Sequence, residues 1–338
     1  MKKYLLITLF ICSCSLELSD NNKTEDKGII ENENGISIEH NGIEREYVLH
    51  VPSSYSGNLP VPLVFNFHGG SGTATGQRYI SEMDQVADSA GFIVAYPQGS
   101  YLNGISYWNS MIATEGSKGT ADDIGFISLL IDIISSNYNI DLEKVYACGY
   151  SNGGDISISL ACYLSSKISA AAPVSGLMSL ESDSLCQPQE YTGVLLINGT
   201  ADNSRPYNGI SDYYLSVDST LNYWSNHHQS DSTNIENFVD GNNNNIDHYE
   251  YFGLNDVSYL EHYKIIDGGH DWFNLSVNGK NIDQVIWQFF SNIRKKLSRR
   301  SSIPSTSPLI GQVASGQPRF TIPEISSTNL VPCKPPST

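Results

Sequence analysis

The sequence predicts an α/β fold: a mostly parallel central sheet with helices on both faces. The first observation is a set of continuous apolar runs, "PLVFNFHGG", "FIVAYP", "KVYACGY" and "GVLLING". Strands covered on one face alternate apolar and polar residues; strands covered on both faces do not, and glycine at the end of a run marks entry into a tight loop. The second is a pair of segments too long for strands, "DDIGFISLLIDIISSNY" and "NGGDISISLACYLSS", which read as buried helices. The third is their alternation: strand, helix, strand implies crossover connections and parallel pairing.

Taken in order, "GISIEH" and "REYVLHVP" alternate and predict an antiparallel hairpin ahead of the first buried strand. "AAAPVSG" adds a strand, and "YLEHYKII" reads as the last one. From Asn281 onward Ile282, Val285, Ile286, Phe289, Phe290, Ile293 and Leu297 recur at helical spacing, an amphipathic closing helix. Residues 203–247 are rich in Asn, Ser and Asp and read as an excursion from the core, such as a lid. Residues 15–34 are polar and read as a flexible tether, and residues 298–338, rich in Ser and Pro without apolar periodicity, as a disordered tail.

The first fourteen residues read as an export signal. Lys2 and Lys3 precede "YLLITLFIC", an apolar run too short to span a bilayer, and Ser13 leads into Cys14. The pattern resembles a bacterial lipobox with Cys14 as the lipidated residue. An ordinary cleaved secretory signal is the alternative, because Cys12 blurs the pattern. Either way the expected location is outside the cytoplasm, secreted or at the surface of a bacterial envelope, touching membrane only through the N-terminal anchor. In an oxidising compartment Cys162 and Cys186 are the expected pair, while Cys148, inside an apolar strand, is expected as a small core residue. No CxxC or His/Cys cluster suggests a metal site. Residues 14–293 carry 10 bases against 35 acids, a body that repels phosphate backbones and argues against a nucleic-acid partner.

The stretch "VYACGYSNGGDIS" carries the chemistry. Serine is a weak nucleophile at neutral pH; it needs a base, an acid to orient that base, and donors for the oxyanion. GxSxG between strand and helix supplies a sharp turn that lifts the serine oxygen out of the sheet. The motif itself arises by chance roughly a third of a time in a chain of this composition, so its context decides. An apolar strand ends at Ser151 and a helix begins after it. Asp202 in "VLLINGTADNSRPYNG" and His270 in "YKIIDGGHDWF" each follow a later strand. The order Ser151, Asp202, His270 is that of the α/β-hydrolase fold. "FHGGSG" upstream resembles an oxyanion loop, in which the amide of Gly70 or Ser71, with that of Asn152, would hold the oxyanion and His68 would brace the loop.

Together "REYVLHVP", "PLVFNFHGG", "ADDIGFISLLIDII", "VYACGYSNGG", "AAAPVSG", "LLINGTADNSRPYNG" and "GGHDWF" resemble the secreted esterase family of polyhydroxybutyrate depolymerases, feruloyl esterases and acetylxylan esterases, collinearly from about residue 44 to 293. The resemblance implies an α/β-hydrolase domain over residues 35–297 that works without cofactor. Ser151 would be the nucleophile, His270 the base and Asp202 the orienting acid. The substrates implied are esters of plant polysaccharides or polyester oligomers. It also implies that Trp108 and Trp272 line the cleft. Two departures stand out. The position after "SNGG", often Met in the family, is Asp155, and the Cys that often precedes the "WN" pair is Tyr107.

The function expected is therefore an exported serine carboxylic-ester hydrolase working through an acyl-enzyme. A secreted prolyl-oligopeptidase-type peptidase is a rival, weakened by the short stretch between signal and first core strand. A non-catalytic binding protein on a hydrolase scaffold is another, weakened because all three catalytic residue types are present.

Overall fold

The computed structural model of the chain describes residues 30–32, 35–112, 119–253 and 258–294. The export signal with Cys14, the tail, Leu297 and all of the tether except Ile30–Asn32 lie outside the described residues; those three form a strand, which corrects the tether's expected end. In chain order, β1 (Ile30–Asn32), β2 (Gly35–His40) and β3 (Ile43–His50) precede β4 (Val61–Phe67), and α1 (Ala74–Ile80) and α2 (Met83–Ala90) lead to β5 (Ile93–Pro97). A hairpin of β6 (Ser100–Leu102) and β7 (Ile105–Tyr107) pairs only with itself. Then come α3 (Asp123–Asn137), β8 (Ile140–Tyr150), α4 (Asn152–Tyr163), β9 (Ala170–Val174), α5 (Leu180–Leu185) and β10 (Gly193–Gly199). The chain continues through α6 (Val217–His228), β11 (Ser232–Val239), β12 (Asn245–Phe252), β13 (Ser258–Ile265) and α7 (Ile282–Asn292).

Eleven strands form one sheet in the order β1-β2-β3-β5-β4-β8-β9-β10-β13-β12-β11. Its centre, from β5 to β13, is parallel at every step, with pairs such as Leu63–Val145 and Ile197–Tyr263 in register. Antiparallel strands extend both edges. The apolar runs are explained by burial on both faces. Along β4, Leu63, Phe65 and Phe67 point into one core layer and Val64 into the other. Along β10, Val194 and Leu196 share the first layer and Leu195 and Ile197 the second. Successive strand side chains alternate faces, so a strand covered on both sides is apolar at most positions, and the buried Asn66 and Asn198 are hydrogen-bonded.

Helices α3, α4 and α6 cover the first face through Phe126, Leu130, Leu160 and Trp224. Helices α2 and α7 cover the second through Met83, Val86, Ile286 and Phe290. The Phe290 ring stacks on Tyr146 of β8 at 4.8 Å. A capping box of Asn281 and Gln284 starts α7, each side chain satisfying a backbone N–H that the first turn leaves open.

Residues 203–247 correct an expectation. They are not a lid: α6 packs fully buried Trp224 into the core, and β11 pairs with β12 to extend the sheet. β11, "STNIENFV", is exposed along nearly its whole length, so it carries no apolar alternation that marks it as a strand. No helix among the described residues is long and apolar enough to cross a membrane.

Candidate active site

β8 runs into Ser151, which sits at φ 55°, ψ −119°, a conformation that costs a non-glycine residue roughly 1–3 kcal/mol and that the surrounding fold must enforce. The turn has no room for side chains at its flanks. A Cβ on Gly149 would strike the backbone of Gly153, and one on Gly153 would strike the backbone of Phe67 and His68. These contacts are why glycine stands on both sides of the serine.

His270 and Asp202 lie on loops that leave β13 and β10 at the same sheet edge. The Ser151 hydroxyl lies 2.8 Å from His270 Nε2, and His270 Nδ1 lies 2.7 Å from Asp202 Oδ2. The bond to Asp202 assigns the ring hydrogen to Nδ1 and leaves Nε2 as the acceptor for the serine proton. The other Asp202 oxygen, Oδ1, accepts the backbone N–H groups of Ser204 and Arg205, each at 2.7 Å. That carboxylate is 5% exposed, so every lone pair it directs at the protein has a defined use. Tyr150 donates its hydroxyl to the carbonyl of His270. Ser175, at φ 48°, donates to the carbonyl of Asp271 at 2.9 Å.

The "FHGGSG" loop lies against the start of α4. His68 is 1% exposed; its Nδ1 lies 2.7 Å from the Gly69 carbonyl and its Nε2 accepts the N–H of Gly99 at 2.9 Å. Burial lowers its pKa, against the bond to Gly69, which holds it as a neutral brace. Two expectations are corrected here. The Ser71 amide donates to the Ser106 carbonyl at 2.8 Å, so it is not available to an oxyanion. The amides of Gly70 and Asn152 remain without a protein acceptor among the described residues. Trp108 does not line the cleft: it is 2% exposed, and its indole N–H donates to the His68 carbonyl. Its backbone N–H and C=O are both taken by the Asn152 side chain, at 2.6 and 3.0 Å. Trp108 and Asn152 therefore lock the oxyanion loop onto the nucleophile helix. Trp272 is half-buried against the second core layer, and its indole faces the Asp283 carboxylate at the start of α7.

Asp155, the departure from the family pattern, is buried in the first turn of α4. It pairs with Arg205, the residue whose amide holds Asp202, with Nη2 to Oδ2 at 2.8 Å. Farther from the triad, Arg45 and Asp123 form a second buried pair at 2.6 Å, and Asp123 also accepts the N–H of Asn109 next to Trp108. Sequence patterns missed Arg205, Tyr150, Ser175 and the Asn152 side chain. Asp155 offered the one usable signal, a charge between the glycines of "SNGG" and the largely apolar "ISISLAC". Cys162, on α4, is bridged to Cys186 at the end of α5, with Cα atoms 5.7 Å apart. Cys148 is free and buried. Among the described residues no group of three or more His, Cys, Asp or Glu side chains is placed to hold a metal ion.

The profile of the family described as Esterase PHB depolymerase matches residues 45–192. The chain has the α/β-hydrolase fold and is similar to that esterase family over those residues. Over 251 residues the chain is 27% identical to a bifunctional acetylxylan esterase/xylanase of Neocallimastix patriciarum, covering 74% of its own length and 33% of that protein. It thus spans a third of that relative. It is 27% identical to a probable feruloyl esterase C of Aspergillus niger over 252 residues, covering 73% of the chain and 83% of the relative. Among solved structures, an acetyl xylan esterase from Aspergillus awamori superposes with a TM-score of 0.52 at 15% identity, covering 73% of this chain and 94% of that one. At that identity the likeness speaks for the fold.

Proposed function

We propose that the chain is an exported serine carboxylic-ester hydrolase that cleaves acetyl or feruloyl esters of plant polysaccharides through an acyl-enzyme. The observation that carries this reading is the unbroken chain from Ser151 Oγ to His270 to Asp202, at 2.8 and 2.7 Å. Ser151 Oγ attacks the ester carbonyl while His270 Nε2 takes its proton. The oxyanion is received by the amides of Gly70 and Asn152. His270 then gives the proton to the leaving alcohol as the tetrahedral intermediate collapses to the acyl-enzyme. Water enters and attacks the acyl carbonyl while His270 takes its proton, and His270 then returns that proton to Ser151 Oγ as the acid leaves. Asp202 keeps the imidazole in the required tautomer and stabilises the imidazolium between the two transfers.

Support for the substrate class comes from the acetylxylan and feruloyl esterases to which the chain is similar. Support for export comes from the N-terminal pattern through Cys14 and from the Cys162–Cys186 bridge, since such bridges persist in oxidising compartments. The deciding experiment is a hydrolysis panel of p-nitrophenyl acetate, methyl ferulate and acetylated xylan, run with the wild type and Ser151→Ala, beside fluorophosphonate labelling. The expected result is ester turnover and a Ser151 adduct in the wild type and neither in the variant. Turnover retained by Ser151→Ala refutes the reading.

A further inference from the structure

Asp155 and Arg205 stand on different elements, the first turn of α4 and the loop after β10. The Asp155 side chain is fully buried and that of Arg205 is 18% exposed. Their contact is a fork: Nη2 to Oδ2 at 2.8 Å, with Nε 3.2 Å from Oδ2 and 3.3 Å from Oδ1. Asp155 Oδ1 also accepts the N–H of Leu177 at 2.9 Å, and the charge of the same carboxylate raises the pKa of Tyr214. The Tyr214 ring lies under the guanidinium at 5.0 Å. One carboxylate thus ties together the nucleophile helix, the loop after β9 and the loop that carries Asp202.

The two ends of Arg205 do different things. Its side chain is anchored to Asp155, while its backbone N–H is one of the two donors on Asp202 Oδ1, at 2.7 Å. Asp202 is left with Oδ2 for His270 only if that amide stays in place. Holding Arg205 from Asp155 therefore fixes the carboxylate relative to a helix whose own N-terminus is Ser151. The loop after β9 is drawn in as well, and its Ser175 holds the carbonyl of Asp271, next to His270.

We infer that the buried Asp155–Arg205 ion pair is a positioning device that sets Asp202 in register with His270 and couples the acid loop to the nucleophile helix. Arg205 and Asp155 are positioning residues: they reach the chemistry through Asp202 and touch no reacting atom. The inference rests on the serine-esterase reading proposed above.

The test is a double-mutant cycle on p-nitrophenyl acetate hydrolysis, with kcat expressed per site labelled by a fluorophosphonate so that misfolded protein does not count as slow enzyme. Arg205→Gln in the wild-type background is expected to lower kcat tenfold or more and leave KM within twofold. In an Asp202→Asn background the same change is expected to cost less than twofold, because the carboxylate it positions is gone. Arg205→Lys keeps a charge opposite Asp155, so the variant folds, but it lacks the fork. It is expected to lose less kcat than Arg205→Gln, again only when Asp202 is present. Equal losses in both backgrounds, or none in either, would overturn the inference. An Asp202→Asn variant that hydrolyses the ester as fast as wild type would instead refute the serine-esterase reading.

Discussion

The hydroxyl of Tyr150 donates to the backbone carbonyl of His270 at 2.7 Å, so the residue before the serine holds the loop that bears the histidine. Burial, with the nearby charges of Asp271 and Asp202, raises the Tyr150 pKa and keeps it a neutral donor. Tyr150→Phe removes one hydrogen bond of about 1 kcal/mol and keeps the ring contact with His270. On the proposed mechanism kcat falls roughly fivefold with KM little changed. Steady-state kinetics on a soluble ester checks this, and an unchanged kcat removes Tyr150 from the positioning network.

At Ser151 glycine suits the backbone better than alanine does. Elsewhere in a folded chain glycine is the less stable of the two by about 0.5–1 kcal/mol. At φ 55° a Cβ is strained, so Ser151→Gly is expected to match or exceed Ser151→Ala in stability. Both variants are expected to lose esterase activity. Urea unfolding of the pair decides it, and the ordinary ranking would show that the elbow is not strained.

The Cys162–Cys186 bridge closes a separation of 24 residues and fastens the far end of the nucleophile helix to α5. A loop of that length stabilises by about 3.5 kcal/mol in the chain-entropy account. The double variant Cys162→Ala/Cys186→Ala is expected to lose that amount in denaturant unfolding while keeping kcat near wild type. A loss under 1 kcal/mol would show that the bridge adds little.

Buried titratable groups set opposite pH trends. Burial lowers His228 to about 3 and His262 to about 4, with His227 also lowering His228. A histidine kept neutral in the fold but free to protonate when unfolded loses stability as pH falls below about 6.5. Asp283 runs the other way: burial raises it to about 6, so its ionisation costs stability as pH rises from about 4 to 6. The two histidines together outweigh the single carboxylate, so unfolding free energy is expected to decline from pH 6.5 to 4. Asp283→Asn is expected to stabilise at pH 7 by on the order of 2 kcal/mol and by much less at pH 4. Denaturant titrations at the two pH values check the sign, and an equal effect at both would remove the ionisation as its cause.

The parallel core was legible because burial on both faces leaves unbroken apolar runs, as in "PLVFNF" and "GVLLING". The strand ends bearing Ser151, Asp202 and His270 were readable for the same reason: each follows such a run and enters a loop. β11 was not, because an exposed edge strand shows no apolar pattern. Trp108 was read as a cleft residue because sequence gives an aromatic's presence and not its depth. Ser71 was read as an oxyanion donor because nothing local reveals that the Ser106 carbonyl, from the β6–β7 hairpin, already takes its amide. Asp155 and Arg205 are fifty residues apart, and their pairing depends on how two crossover connections close.

The Asp155–Arg205 pair also constrains the route by which such a sequence can arise. A carboxylate at position 155 with no partner would be a buried, uncompensated charge, a defect of about 3–5 kcal/mol against a typical total of 5–15. An arginine at position 205, still partly exposed, could turn its head to water while it waited for a partner. The mutational order with a viable intermediate is therefore arginine first and aspartate second. Once both are in place, the arginine cannot be lost before the aspartate, so the pair is gained and given up in one fixed order.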